Sequence, residues 1–156
     1  MQDPEARLQH ALELAYRYLG HRDRTVAEVR GQLERKAVDE GTAEAAVGEL
    51  LRQGYLDDER FAQRFTEDRR TLGAWGDERI ERRLAAAGVA PETVAAALGD
   101  RAEGEARQAA VALLERRIRE PPTSDRERER ALGLLVRRGY DLDLAYEAVR
   151  AFERSA

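Results

Sequence analysis

The sequence predicts an all-α protein of three tandem three-helix repeats, elongated rather than spherical, and three observations carry that reading. The 156 residues are rich in Ala, Leu, Arg and Glu, all good helix formers, whereas aromatic residues make up only 6% of the chain. Apolar and small residues recur at a spacing of 51 positions. Helix-start signals stand at the points that this spacing requires.

The period is anchored on Leu33, Leu84 and Leu135. Four residues earlier stand Val29, Ile80 and Ala131; four later stand Ala37, Gly88 and Gly139, followed by Val38, Val89 and Tyr140. Further columns are Ala43, Val94 and Ala145, then Ala46, Ala97 and Ala148, then Val47, Leu98 and Val149. Apolar positions four apart lie on one helix face, so each copy reads as helix, tight turn, helix. Glycine in two of the three copies suits a helix C-terminus, where the left-handed backbone tolerates no Cβ without strain.

In chain order, the first unit spans about residues 1–54. Leu8, Leu12, Ala15 and Leu19 mark its first helix, Thr25 and Glu28 have capping-box spacing before the second, and Asp39 caps the third. The second unit, 55–100, opens on Leu56-Asp57-Asp58-Glu59-Arg60-Phe61, where Asp57 caps and Leu56 staples to Phe61. Phe61, Phe65, Arg69 and Leu72 share a face of its first helix; Trp75-Gly76 precede the next, and Pro91 opens the last. The third unit, 101–156, carries Ala106, Ala110, Leu113 and Ile118, then Ser124 and Glu127 at capping-box spacing, then Asp141 as a cap. Units this small cannot each hold a large core, so stacking has to supply the missing burial.

Catalytic chemistry finds no footing. Without cysteine there is no disulfide, thiol nucleophile or thiolate metal site. His10 and His21 lack metal-ligand spacing, and Gly73-Ala74-Trp75-Gly76 lacks both the GK[ST] ending and the preceding strand of a phosphate loop. Asp57, Asp58 and Glu59 are better placed to cap a helix than to bind a metal. The missing motifs predict no enzymatic activity and no cofactor, and the polar N-terminus and lack of a long apolar run predict a cytoplasmic protein with no membrane partner.

Binding surfaces are the alternative. The chain carries a net charge of −4, so affinity for naked DNA should be weak and confined to local patches. Of 27 basic residues all but Lys36 are Arg, which reflects either a genomic bias or a preference for bidentate contacts with carboxylate and phosphate. Arg79, Arg82 and Arg83 form one outward stripe opposite Ile80 and Leu84; Arg69 and Arg70 close the preceding helix, and Trp75, the sole tryptophan, lies between. These residues form either a recognition surface or a solvated face whose Arg pair with Glu67, Asp68, Glu78 and Glu81. A second basic group comprises Arg116, Arg117 and Arg119 with Arg137 and Arg138, and the alternating run 125–130 is an exposed, self-paired helix start.

The string Gly54-Tyr55-Leu56-Asp57-Asp58-Glu59-Arg60-Phe61-Ala62 resembles the signature segment of the RecX family of RecA-recombinase regulators. Arg69, Gly73, Gly76, Arg79-Ile80, Leu84 and Gly88-Val89 continue the likeness. So do Arg22, Thr25, Glu28, Val29 and Leu33, and Leu134-Leu135-Val136-Arg137-Arg138-Gly139-Tyr140. Thr25, Val29, Gln32 and Ala37 depart from the family pattern, which more often has Ser, Leu, Lys and Gly there; Gln32 weakens any expectation of a basic contact at that position. The resemblance implies three tandem three-helix repeats in a crescent that binds the RecA–single-stranded-DNA filament. It further implies restraint of RecA's ATPase, strand exchange and coprotease activities, by a protein expected to act as a monomer. A helix-turn-helix DNA-binding protein and a helical scaffold are the competing readings. The segment Pro91-Glu92-Thr93-Val94-Ala95-Ala96-Ala97 has no base-reading side chain, which argues against the former.

Overall fold

The 51-residue period of the sequence is also a period of the backbone. A computed structural model describes residues 3–102 and 104–155. Among them run α1 (Pro4–Leu19), α2 (Val26–Arg35), α3 (Glu40–Gln53), α4 (Asp58–Thr71), α5 (Asp77–Ala86), α6 (Pro91–Leu98), α7 (Glu105–Arg117), α8 (Asp125–Arg137) and α9 (Leu142–Arg154), with no strand among the described residues. Both ends of α2 and α5 are 51 positions apart, and so are the starts of α3, α6 and α9. The chain is therefore all-α, in tandem three-helix groups.

The turn between the second and third helix of each group has one construction. Ala37, Gly88 and Gly139 take left-handed φ values of 61°, 85° and 100°. The next residue sends its N–H back to the last core leucine: Val38 to Leu33 O at 3.0 Å, Val89 to Leu84 O at 3.1 Å and Tyr140 to Leu135 O at 3.1 Å. This Schellman closure satisfies carbonyls that a helix end leaves unpaired. Asp39 and Asp141 then cap α3 and α9, accepting the N–H of Thr42 and Leu144. Glycine is free to adopt this conformation; Ala37 adopts it at a cost of about 1–2 kcal/mol.

Contacts along the chain fall into two compact units. The first comprises Met1–Gln63 with Leu84–Val94. Here α1, α2 and α3 pack on one another around Leu12, Ala15, Val29, Leu33, Val47, Leu50 and Leu56. The start of α2 is held from two sides. Asp58 Oδ1 accepts the Val26 N–H at 2.9 Å, and the Thr25 hydroxyl donates to Ala87 O at 2.6 Å. Thr25 also closes a full capping box with Glu28. A Cβ added to Gly88 would come within 2.3 Å of Ala27 Cβ, so the α5–α6 turn lies directly on the first turn of α2.

The second unit comprises Arg64–Arg83 with Ala95–Ala156. Its core is Ala110, Leu113, Leu114, Leu135, Val149 and Phe152, on α7, α8 and α9, with Tyr140 from the α8–α9 turn. The same docking recurs 51 positions on: Gly76 N–H donates to Arg138 O at 2.7 Å and Glu78 N–H to Gly139 O at 3.1 Å. A Cβ on Gly76 would lie 2.4 Å from the Gly139 carbonyl carbon, and one on Gly139 2.4 Å from Arg79 Cβ. The division of α5 between the units follows from this. Its first turn belongs with the α8–α9 turn, and its last with α2.

Two sequence expectations need correction. On α4 the fully buried line is Ala62 and Thr66, one position along from the expected face. A shift of one residue rotates a side chain by roughly 100°. Phe61 and Phe65 are consequently only half-buried, Arg69 is exposed, and Leu72, just past the helix end, is 86% exposed. At α8, Ser124 accepts the Glu127 N–H, but the Glu127 carboxylate turns to the N–H of Thr123 instead of completing the box.

Two stability predictions follow from the buried column and from the turn. Leu84 is fully buried, so Leu84→Ala should cost roughly 2–5 kcal/mol in a denaturant melt. Ala37→Gly should raise stability by up to about 1 kcal/mol, because relief of the left-handed strain exceeds the added chain entropy. Gly88→Ala should do the opposite, since it combines that strain with the collision at Ala27.

Candidate functional site

Residues 73–76, between α4 and α5, are closely packed and hydrogen-bonded. Gly73 and Trp75 both send their N–H groups to Arg69 O, at 3.2 and 3.0 Å, folding the connection back over the end of α4. A side chain at Gly73 would strike the indole, 2.8 Å from Cδ1. The connection is gripped from the α8–α9 turn as well: Arg138 Nη1 donates to Gly73 O at 2.6 Å, and the buried Tyr140 hydroxyl donates to Ala74 O at 2.9 Å. Burial pushes the Tyr140 phenol above its usual pKa, which keeps it a neutral donor.

Trp75 is thereby fixed with only 8% of its surface exposed. Phe65 meets it edge-on at a centroid distance of 6.0 Å. Three guanidinium groups surround the ring: Arg79 at 3.8 Å from its centroid, Arg69 at 4.9 Å and Arg83 at 5.9 Å. Cation–π attraction holds arginines in this way while leaving their N–H edges outward. Burial, and then the positive charges of Arg138, Arg83, Arg69 and Arg82, push the Arg79 pKa below the ordinary arginine value. Arginine stays protonated under any such shift at neutral pH, so the group remains a cation in a region of concentrated positive potential.

The expected pairing of these arginines with Glu67, Asp68, Glu78 and Glu81 does not occur. Among the described residues no carboxylate forms an ion pair with Arg69, Arg79, Arg82 or Arg83. Arg70 is different. It donates to Asp77 Oδ1 at 2.9 and 3.1 Å and to Leu98 O at 2.9 Å, tying α4 to α5 and α6. Arg138 is likewise committed to Gly73. Of the second basic group, Arg116, Arg117, Arg119 and Arg137 are exposed. Arg117 and Arg119 line, with Arg130, a cleft of about 380 Å³ beside Pro121 and Pro122.

The signature string is mostly structural. Gly54 is the left-handed cap of α3, Leu56 and Ala62 are buried, Asp57 accepts the Arg60 N–H at 3.0 Å, and Asp58 holds α2. Phe61 is half-buried. Tyr55 is 56% exposed and packs edge-on against Tyr16 at 5.4 Å. Among the described residues there is no cluster of three His, Asp or Glu side chains able to hold a metal ion, and no helix long and apolar enough to cross a membrane.

Comparison with known proteins places these features in a family. Residues 11–50 match the family description "RecX, first three-helix domain" and residues 57–98 match "RecX, second three-helix domain". The chain is 37% identical over 134 residues to the regulatory protein RecX of Trichlorobacter lovleyi, covering 83% of this chain and 87% of that one. It is 33% identical over 149 residues to the regulatory protein RecX of Amycolatopsis mediterranei, covering 94% and 85%. The crystal structure of RecX from Lactobacillus salivarius shares the fold with a TM-score of 0.80 at 17% identity, over 96% of this chain and 99% of that one.

The clamp on the connection makes a direct prediction. Tyr140→Phe removes one buried hydrogen bond and leaves Ala74 O unpaired, so it should cost about 1–3 kcal/mol in a thermal melt.

Proposed function

The chain belongs to the RecX family, and on that premise we propose that it binds the RecA–single-stranded-DNA filament and restrains its ATPase, strand-exchange and coprotease activities. In this reading it is a cytoplasmic, monomeric, non-enzymatic regulator of recombination and DNA repair, built of three repeats bounded near residues 54 and 100. One observation carries the placement of the contact surface: Arg69, Arg79 and Arg83 gather around Trp75, with Arg82 beside Arg79, and none of the four has a carboxylate ion-pair partner among the described residues. A filament offers acidic side chains and phosphates together, and guanidinium groups meet either bidentately. Arg70 and Arg138 support this surface through their internal bonds, and Trp75 through its ring. The exposed Arg116, Arg117 and Arg137 are the next candidates for contact.

The net charge of −4 suits a protein that finds DNA through a protein partner better than one that binds it alone. Titration of RecA ATPase on single-stranded DNA tests the reading. The protein should inhibit, and binding to the same DNA without RecA should be weak and steeply salt-dependent. Tight binding to naked DNA at physiological salt would favour a DNA-binding protein instead.

The paired substitution Arg82→Glu, Arg83→Glu should leave the melt nearly unchanged, because both side chains are exposed. It should raise the inhibitory concentration by an order of magnitude or more, each charge-assisted bond being worth about 1.5–3 kcal/mol. A folded double variant that inhibits like the parent would reduce the stripe to a solvated face.

A further inference from the structure

Leu72 is the most exposed large hydrophobic residue among those described, at 86%, and it stands on the hydrogen-bonded α4–α5 connection. Its N–H is bonded to Asp68 O at 2.8 Å, and the residues after it are pinned by Arg69 O, Arg138 and Tyr140. The chain thus holds an aliphatic side chain in water on a tied-down corner, three positions after Arg69 and three before the arginine-ringed Trp75. Nothing within the chain requires an apolar residue there. An apolar projection bordered by cations is the complement of an apolar depression bordered by carboxylates. A corner already held in place loses little conformational entropy when it is covered.

Building on the filament reading above, we infer that the α4–α5 corner is a protein-docking anchor. Leu72 enters an apolar pocket on the recombinase, and the surrounding arginines meet carboxylates on the pocket's rim. Nucleic acid fits this corner less well. The indole face is covered by Arg79 at 3.8 Å, so Trp75 offers no open platform for a base, and an aliphatic side chain adds nothing to a phosphate contact.

The test uses the full chain with Leu72→Ser and Leu72→Met, each measured by inhibition of RecA ATPase on single-stranded DNA and by anisotropy of a labelled oligonucleotide without RecA. Both variants should melt like the parent, since the side chain is already in solvent. Leu72→Ser should raise the half-inhibitory concentration on the order of tenfold, and Leu72→Met by less than about twofold, with oligonucleotide binding unchanged in both. Inhibition by Leu72→Ser at the parent's concentration overturns the anchor and leaves the filament reading standing. Equal loss on the bare oligonucleotide assigns the corner to nucleic acid and overturns the protein pocket. A parent protein without effect on the filament removes the functional reading, and this partner with it.

Discussion

In each unit the backbone of a left-handed turn lies directly on the first turn of a helix from the preceding repeat, and the arrangement of the candidate surface depends on that contact. In the second unit the approach is so close that neither Gly76 nor Gly139 has space for a methyl group. With the two backbones in contact, Gly76 and Glu78 spend their N–H groups on the carbonyls of Arg138 and Gly139. Those carbonyls belong to a helix end, and those N–H groups to a helix start, so each side satisfies the other's unpaired groups. The Arg138 and Tyr140 side chains then reach Gly73 and Ala74 and tie down the connection carrying Trp75. The first unit uses the same contact with a different donor, the Thr25 hydroxyl in place of the Gly76 amide.

Once Trp75 is fixed, the electrostatics follow. Some arginines elsewhere pair with carboxylates: Arg22 with Glu28, Arg30 with Glu44, Arg52 with Glu49 and Arg128 with Glu153. Around Trp75 they find an aromatic face instead, which positions the cations without neutralising them. Burial, and then the neighbouring positive charges, lower the Arg79 pKa, and an anionic partner would relieve the repulsion among those charges. An acidic chain thus carries a locally positive surface.

Much of the fold was legible because it rests on local rules. The period of leucines, the glycines at 88 and 139, the capping Thr25, Asp39 and Asp141, and Pro91 at a helix start all act through a few neighbouring residues. Ala37 shows the strength of the repeat: it takes the left-handed conformation although alanine disfavours it. The features that stayed hidden are tertiary. Arg70 and Arg138 look like surface cations in the sequence, and only the fold shows that they bind Leu98 O and Gly73 O. Nothing local marks Gly76 as a point of backbone contact. The exposure of Leu72 was missed because the apolar spacing on α4 fits two adjacent faces, and packing selected the one through Ala62 and Thr66. Within the candidate site, helical spacing points to the grouping of Arg69, Arg79 and Arg83 around Trp75, but not to their lack of ion-pair partners among the described residues.

Amide hydrogen exchange of the protein, with and without RecA assembled on single-stranded DNA, tests the central claim most directly. If the Trp75 corner is the contact surface, added protection should concentrate in peptides spanning residues 69–83 and should be absent when the same DNA is supplied without RecA. Unchanged exchange across 69–83 while other segments become protected would contradict that claim, as would full protection of 69–83 by DNA alone.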